Sequence, residues 1–133
     1  MSRSCAAGPV LHHEHTGSLM RRIQMFGLCV RFTCKDAASA QAYDRLVAET
    51  VEAIKANEPG TLVYATHLVD GQPLQRIFYE LYRDKAAFEA HEAAPHTRRY
   101  LDERGQYLAS TEVDRLTLQT GKGTGPLGSL DCL

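Results

Sequence analysis

The stretch TLVYATHLVDGQPLQRIFYELYR, at residues 61–83, determines the fold class of this 133-residue chain. It contains two runs rich in β-branched and aromatic residues, 61–69 and 74–83, which are separated by the turn sequence Asp70-Gly71-Gln72-Pro73. An Asp-Gly dipeptide between two such runs is the strongest short-range signal for a β-hairpin. The sequence therefore predicts two adjacent antiparallel strands here.

A strand and a long helix are predicted before this hairpin. Residues 23–33 form an apolar run in which alternate side chains share one face of a strand, namely Phe26, Leu28, Val30 and Phe32. Asp36 or Ser39 can cap the helix that follows. Its buried face is marked by helical spacing of Tyr43, Leu46, Val47, Thr50, Val51 and Ile54. The sequence Glu58-Pro59-Gly60 ends this helix, because proline cannot continue it and glycine accepts a left-handed exit.

Two shorter helical stretches and a last strand are predicted after the hairpin. Asp84 can cap a helix over 85–94, Pro95 interrupts it, and a second stretch runs from 96 to about 108. Residues 112–120 are typical of a fourth strand. The order β-α-β-β-α-β predicts an α+β, ferredoxin-like fold, in which a four-stranded antiparallel sheet carries its helices on one face. The first and third strands lie centrally in that topology.

The first strand is apolar on both faces, which predicts a partner. Met25 and Cys29 lie on the face opposite Phe26 and Leu28, and helices on one side of the sheet cannot cover both. A second copy of the chain, packed sheet against sheet, is the simplest cover. We therefore expect a homodimer.

The domain boundaries follow from composition. Residues 1–22 have no sustained apolar period and are expected to be a flexible N-terminal extension, residues 23–120 to be the folded domain, and residues 121–133 to be a flexible, glycine-rich tail. The extension has no apolar core of a secretory signal. Whether translation starts naturally at Met1, Met20 or Met25 stays open.

Composition excludes several classes of protein. With 15 basic and 16 acidic residues and a net charge of −1, the chain lacks the cationic excess that non-specific nucleic-acid binding requires. Its longest uncharged apolar run, 25–30, is far shorter than the roughly 20 residues of a membrane span. The four cysteines form no C-x-x-C motif, so we expect no metal site, and free thiols favour a reducing, cytoplasmic location.

The residues of the core also resemble a known family. The pattern runs from Glu58-Pro59-Gly60-x-x-x-Tyr64, through Phe78-Tyr79-Glu80-Leu81-Tyr82-x-x-x-x-Ala87-Phe88-x-x-His91, to Pro95-His96. In order and spacing it is similar to that of the antibiotic biosynthesis monooxygenases, which include quinol monooxygenases. The resemblance implies a dimeric α+β barrel with a pocket between the helices and the sheet of each subunit. It further implies oxidation of a small aromatic substrate, a quinol or anthrone, by dioxygen without a metal or flavin cofactor.

Two residues are the catalytic candidates. Glu80 lies in the middle of a strand that is expected to be buried, where desolvation raises the pKa of a carboxyl and suits it to acid–base chemistry. His91 follows Phe88 by three positions and so shares the inward face of its helix. With the resemblance, this predicts His91 as the general base and Glu80 as the hydrogen-bond partner that orients it. A structural ion pair for Glu80 and a satisfied core histidine are the alternatives.

Five further residues are predicted to bind the substrate. Tyr64 matches the tyrosine of the family pattern and is expected to hold a substrate oxygen. The remaining four candidates are His67, Tyr82, His96 and Tyr100. The sequence leaves open which face of the second strand, Tyr64/Thr66 or Ala65/His67, looks into the pocket.

Two other functions remain open at this stage. The first is isomerisation or degradation of a small phosphorylated carbonyl compound, which would need Arg31 or Arg76 to point into the pocket. The second is a non-catalytic, small-ligand-binding barrel, which a pocket filled by its own side chains would favour. Haem cleavage is not expected, because the chain contains no Trp and lacks a histidine near residues 100–102.

Overall fold

A computed structural model describes residues 24–124 as four strands and three helices. In chain order they are β1 (Phe26–Cys34), α1 (Ala37–Asn57), β2 (Thr61–Val69), β3 (Gln72–Tyr82), α2 (Lys85–Ala93), α3 (Pro95–Arg104) and β4 (Leu108–Thr117). The strands form one antiparallel sheet in the order β2-β3-β1-β4. The predicted α+β, ferredoxin-like topology with β1 and β3 at the centre is therefore confirmed. The predicted extension at 1–22 and most of the predicted tail, 125–133, lie outside the described residues.

The core lies between the sheet and the helices, on the face that the alternation in β1 predicts. Val30 of β1 pairs with Phe78 of β3 on one side and with Val113 of β4 on the other. Phe78 packs edge-on against Phe32, with ring centroids 4.7 Å apart, and both rings are almost fully buried. Aromatic rings on adjacent strands thus supply much of the buried area that stabilises the domain.

Helix α1 begins and ends where its capping residues predict. The Asp36 carboxylate accepts a hydrogen bond from the Ser39 amide at 2.7 Å, which satisfies one of the free N–H groups of the first turn. The buried stripe of the helix consists of Ala40, Tyr43, Leu46, Val47, Thr50 and Ile54. Glu58 is the C-terminal cap, and its amide donates to the Ile54 carbonyl before Pro59 ends the helix.

The boundary between α3 and β4 differs from the prediction. Helix α3 ends at Arg104 rather than near residue 108, and β4 begins at Leu108 rather than at 112. Gly105 is the C-terminal cap of α3, and the Tyr107 amide donates to the Arg104 carbonyl in a tight turn. The early turn brings β4 alongside the whole of β1, with Leu108 paired to Cys34. It also leaves Arg104 at the end of its helix, beside the sheet.

The other face of the sheet carries half-buried side chains, and none of the three helices within residues 24–124 covers it. Cys29 of β1, with Ile77 and Tyr79 of β3, lies on this face, because alternate residues of a strand point to opposite sides. Among residues 24–124, no helix is long and apolar enough to cross a membrane.

Candidate functional site

A cavity of about 190 Å³ lies between the core face of the sheet and helices α2 and α3. Four of the seven predicted site residues line it: Tyr64, Glu80, His91 and Tyr100. Strand pairing brings these residues together. Glu80 of β3 is paired in register with Tyr64 of β2 and with Leu28 of β1, so the three side chains lie side by side on one face of the sheet. The face of β2 that looks into the cavity is therefore the one that carries Tyr64.

His91 is held at the cavity wall by hydrogen bonds on one side of its ring. Helix α2 places it on the buried face, where the residue is 6% exposed. Its Nδ1 lies 2.7 Å from Oε1 of Glu58, and the Thr97 hydroxyl lies 3.5 Å from the same nitrogen. Because a carboxylate only accepts, Nδ1 carries the proton, and Nε2 of the neutral ring is left as an acceptor. Within residues 24–124, Nε2 makes no hydrogen bond.

The partner of His91 is therefore Glu58, and the predicted Glu80–His91 hydrogen bond is corrected. Glu80 is directed to Tyr82, whose hydroxyl donates to Oε1 of Glu80. Glu58 reaches His91 because it caps the end of α1, and this end borders the same outer groove as α2. The two carboxylates thus belong to separate hydrogen-bond clusters that meet at His91 and the cavity.

Glu58 joins two imidazole rings through one buried carboxylate. Its Oε1 contacts His91 and accepts a 2.7 Å hydrogen bond from the Thr61 hydroxyl, while its Oε2 contacts Nε2 of His96. Burial acts to raise the pKa of Glu58, but hydrogen bonds from His96, Thr61 and His91 outweigh it and hold the pKa below its usual range. Glu58 is thus a carboxylate at neutral pH, with a negative charge beside both rings.

Glu80 has the opposite electrostatic character. The residue is 6% exposed, and burial raises the pKa of its carboxyl, although the hydrogen bond from Tyr82 acts in the other direction. A carboxyl with a raised pKa in a cavity wall suits proton donation to, or acceptance from, a bound molecule.

Tyr64 and Tyr100 form two further walls of the cavity. The Tyr64 ring centroid lies 5.6 Å from that of His91, and burial raises the pKa of its hydroxyl well above the usual value. The Tyr100 hydroxyl lies 2.6 Å from the Tyr43 hydroxyl in the core. Tyr64 is therefore a neutral hydroxyl close to His91, whereas the hydroxyl of Tyr100 is already engaged.

Three predicted substrate-binding residues do not line this cavity. Tyr82 is fully buried behind Glu80 and holds that carboxyl in place. His67 is exposed on β2, where its Nδ1 lies 3.1 Å from the Ile77 carbonyl, because it falls one residue out of phase with Tyr64 and Thr66. His96 lies on the far side of Glu58, in the wall of a separate outer groove of about 650 Å³.

The sequence did carry a signal for Glu58, which was not among the predicted site residues. Glu58 is an acidic residue at the C-terminal end of a long helix, where the helix dipole disfavours negative charge. An acid in such a position indicates another role. In the described part of the chain, residues 24–124, no group of three histidine, cysteine or acidic side chains is arranged to hold a metal ion.

Comparison with known proteins identifies the family of the chain. The sequence model of a family described as antibiotic biosynthesis monooxygenase matches residues 25–103. The chain belongs to this family. The matched segment includes the Glu58–His91 pair and all four residues of the cavity wall that the sequence predicts. Among curated proteins, no significant match is found.

Solved structures from several bacteria share the fold. A protein of Caulobacter crescentus, described as a candidate antibiotic biosynthesis monooxygenase, has a TM-score of 0.69 and 21% identity, over 81% of this chain and 100% of that chain. A protein of Bacteroides thetaiotaomicron with the same description has a TM-score of 0.67 and 24% identity, over 72% and 90%. A Pseudomonas aeruginosa protein has a TM-score of 0.66 and 24% identity, over 74% and 98%. At these identities the likeness establishes the fold.

Proposed function

We propose that this family member is a monooxygenase that oxidises a small hydroxylated aromatic compound, such as a quinol, with dioxygen. The observation that supports it is the Glu58–His91 pair at the wall of the cavity between the sheet and helices α2 and α3. Glu58 fixes the imidazole by Nδ1 at 2.7 Å and leaves Nε2 available to a hydroxyl group in the cavity. A carboxylate that orients an imidazole and stabilises its protonated form is the arrangement that a general base requires.

In the proposed reaction, His91 Nε2 takes the proton of a substrate hydroxyl. The resulting electron-rich anion transfers one electron to dioxygen, and the two radicals combine to form a peroxide at a ring carbon. The imidazolium returns its proton to the peroxide, Glu80 protonates the distal oxygen as the O–O bond breaks and water leaves, and the ring carbon gives up its proton to the resulting Glu80 carboxylate. For hydroquinone the balance is one quinol and one dioxygen giving one hydroxyquinone and one water.

The other cavity residues have distinct roles in this proposal. Tyr64 donates a hydrogen bond to a substrate oxygen, since its high pKa keeps the hydroxyl protonated. Glu80, with its raised pKa, is the second proton carrier, which delivers a proton to the oxygen that leaves as water. Tyr82 holds Glu80, and His96 supports Glu58 from the outer side.

The volume of the cavity favours a one-ring substrate. An apolar cavity of about 150 Å³ is enough to hold benzene, and the cavity here is about 190 Å³. One ring with its hydroxyl groups fits this space, whereas a fused three-ring anthrone requires the cavity to widen. We therefore favour quinols over anthrones.

Two other features belong to the proposal. The half-buried face around Cys29 and Tyr79 supports a homodimer that is packed sheet against sheet. The two cysteines of the described region, Cys29 and Cys34, are free thiols, which supports a cytoplasmic location.

The alternative functions receive less support. Arg31 donates to Gln75, and Arg76 forms a two-point contact with Asp44, so neither of the two arginines named for a phosphorylated carbonyl substrate lines the cavity. Arg104 and Arg115 do line it, so an anionic group on the substrate does not by itself distinguish this alternative from the oxygenase. A purely ligand-binding barrel does not account for a buried carboxylate that holds a histidine at the cavity wall.

The test is oxygen uptake by the purified protein with a panel of one-ring quinols, corrected for spontaneous oxidation. With labelled dioxygen, one labelled oxygen atom is expected in the product. His91→Gln is expected to lower kcat by about 100-fold or more, while His67→Gln, at an exposed position of β2, retains the parent rate. An intact His91→Gln variant with the parent rate contradicts the role of His91, and no uptake with any quinol contradicts the proposed activity.

A further inference from the structure

Two arginines line the mouth of the cavity and have no role in the proposed reaction. Arg104 is the last residue of α3, and Arg115 lies in β4. Arg115 pairs in register with Leu28, which pairs with Glu80 on its other side. Because neighbouring strands are about 4.8 Å apart, the backbones of Arg115 and Glu80 are roughly 10 Å apart across the cavity. Arg115 thus lies two strands away from Glu80 along the sheet that lines the cavity.

Aromatic rings, and not carboxylates, hold these two guanidinium groups. The Arg104 Cζ lies 5.6 Å from the ring centroid of Tyr100 and 5.9 Å from that of Phe32, and the Arg115 Cζ lies 5.9 Å from that of Phe26. Within residues 24–124, no carboxylate oxygen lies within 4.0 Å of either group. Stacking on a ring orients a guanidinium while leaving its N–H donors free.

Other arginines of the domain show the contrast. Arg76 is held by both oxygens of Asp44, and Arg99 contacts Glu49 and Glu103. Ion pairing is therefore available in this fold where an arginine serves packing. Arg104 also contacts the Tyr100 hydroxyl, but a guanidinium has five N–H donors, so most of those of Arg104 are left for a bound anion.

The charge balance at the mouth is positive. Glu92 is the one carboxylate among the described lining residues besides Glu80, and it is exposed. Two arginines against Glu92 leave one net positive charge at the opening. The positive charge of Arg104 also acts on Glu80 inside the cavity. It lowers the pKa of that carboxyl, although burial has the larger effect and raises it.

We propose that the substrate carries an anionic oxygen group, a carboxylate or a phosphate, which Arg104 and Arg115 bind at the cavity mouth while its hydroxylated ring faces His91. Guanidinium donors match the planar geometry of carboxylates and also bind phosphates. This inference rests on the proposed function for the orientation of the ring. The binding of the anion itself requires no turnover.

Binding of unreactive compounds tests the anion site without catalysis. Titration of the wild-type protein is expected to show 3-hydroxybenzoate binding about tenfold to a hundredfold more tightly than 3-hydroxybenzamide, as charge-assisted hydrogen bonds imply. Arg115→Gln and Arg104→Gln each reduce this ratio, and the double variant brings it close to one. Arg98→Gln, at an exposed position of α3, leaves it unchanged. A parallel titration with 3-hydroxyphenyl phosphate shows which anion is preferred.

Lysine variants test the anion site even if the glutamine variants do not fold. Because Arg104 also packs on two rings, Arg104→Gln can fail to fold, and Arg115→Lys and Arg104→Lys then retain part of the preference by keeping the charge. Equal affinity of the wild-type protein for the benzoate and the benzamide overturns the inference. So does a double variant, Arg104→Gln with Arg115→Gln, that keeps the full preference.

Oxygen uptake separates this inference from the proposed function. We expect 2,5-dihydroxyphenylacetate to be oxidised with a kcat/KM at least tenfold higher than its amide. Uptake with the amide at an equal rate contradicts the anion site and leaves the oxygenase proposal intact. A clear binding preference for the anion without any uptake contradicts the oxygenase and leaves the anion site intact.

Discussion

Nδ1 of His91 lies 2.7 Å from Oε1 of Glu58, although 33 positions separate the two residues in the chain. The contact joins the C-terminal end of α1 to the buried face of α2. Pro59 and Gly60 end α1 at that point and lead the chain into β2. One carboxylate thus acts both as the cap of a helix and as the partner of the proposed base.

Replacing Glu58 by Gln is expected to lower kcat by about 100-fold or more. Glu58 accepts N–H groups from two imidazoles, whereas one side of an amide donates, so one ring must change its tautomer or turn away. A base in the wrong tautomer loses most of its effect even when the geometry is kept. Steady-state oxygen uptake with the best quinol is the measurement, and Glu52→Gln, an exposed position of the same helix, is the control. Equal rates for the two variants would refute the role of Glu58.

The lowered pKa of Glu58 determines how its contribution to the stability of the fold changes at acidic pH. Because its pKa in the folded state is held below the usual value, the carboxylate stabilises the fold fully above the unfolded pKa of about 4.3. That contribution is lost as the pH falls through the lower, folded-state pKa. The Tm difference between wild type and Glu58→Gln is therefore expected to be positive at pH 7 and to shrink below about pH 4. A difference that stays constant down to pH 3 contradicts this assignment.

Glu80 is expected to show the opposite sign. Burial raises its pKa, so the folded state disfavours the ionised form, and stability falls as the pH rises from about 4.3 through the folded-state pKa. Glu80→Gln removes this cost and can still accept the Tyr82 hydroxyl. Its Tm should exceed that of the wild type at pH 8, with the gain vanishing near pH 4. Thermal melts of Glu89→Gln, exposed on α2, provide the control, and a Glu80→Gln variant less stable than wild type at pH 8 contradicts the prediction.

The fold was predictable because most of its elements are specified locally. The Asp-Gly turn and alternating runs predict β2 with the observed bounds Thr61–Val69. Asp84 caps α2 as expected, and Asp36, one of the two predicted candidates, caps α1. The end of α3 was missed, because its turn depends on the pairing of β4 with β1, which no local period reveals.

The site was predictable only in part, for a related reason. The prediction that Glu80 and His91 share one site came from the buried strand and the inward helix face on which they lie, together with the family resemblance. The prediction for Tyr64 came from the resemblance alone. The Glu58–His91 contact depends on where the C-terminal end of α1 lies relative to α2, which the sequence pattern does not specify. His67 and Tyr64 lie on opposite faces of one strand, and only the pairing of Tyr64 with Glu80 decides between those faces.

Gly60 is expected to be required for the approach of α2 to the end of α1. A Cβ added at Gly60 would lie 2.6 Å from the Ala87 Cβ, which is closer than two carbons can pack. Gly60→Ala should therefore lower the free energy of unfolding by about 1–3 kcal/mol. Gly105→Ala, where an added Cβ meets nothing within 4 Å, should change it by no more than about 1 kcal/mol.

The Gly60–Ala87 contact itself can be tested by a double-mutant cycle in urea. Ala87→Gly alone costs about 1 kcal/mol through lower helix propensity, but it removes the atom that an alanine at position 60 would strike. The double variant should lose less stability than the sum of the two single losses, with a coupling of at least about 1 kcal/mol. If the losses are additive, position 60 and the Cβ of Ala87 are not in contact. In that case the position of Glu58 beside His91 would need another explanation, since Gly60 is two residues from that carboxylate.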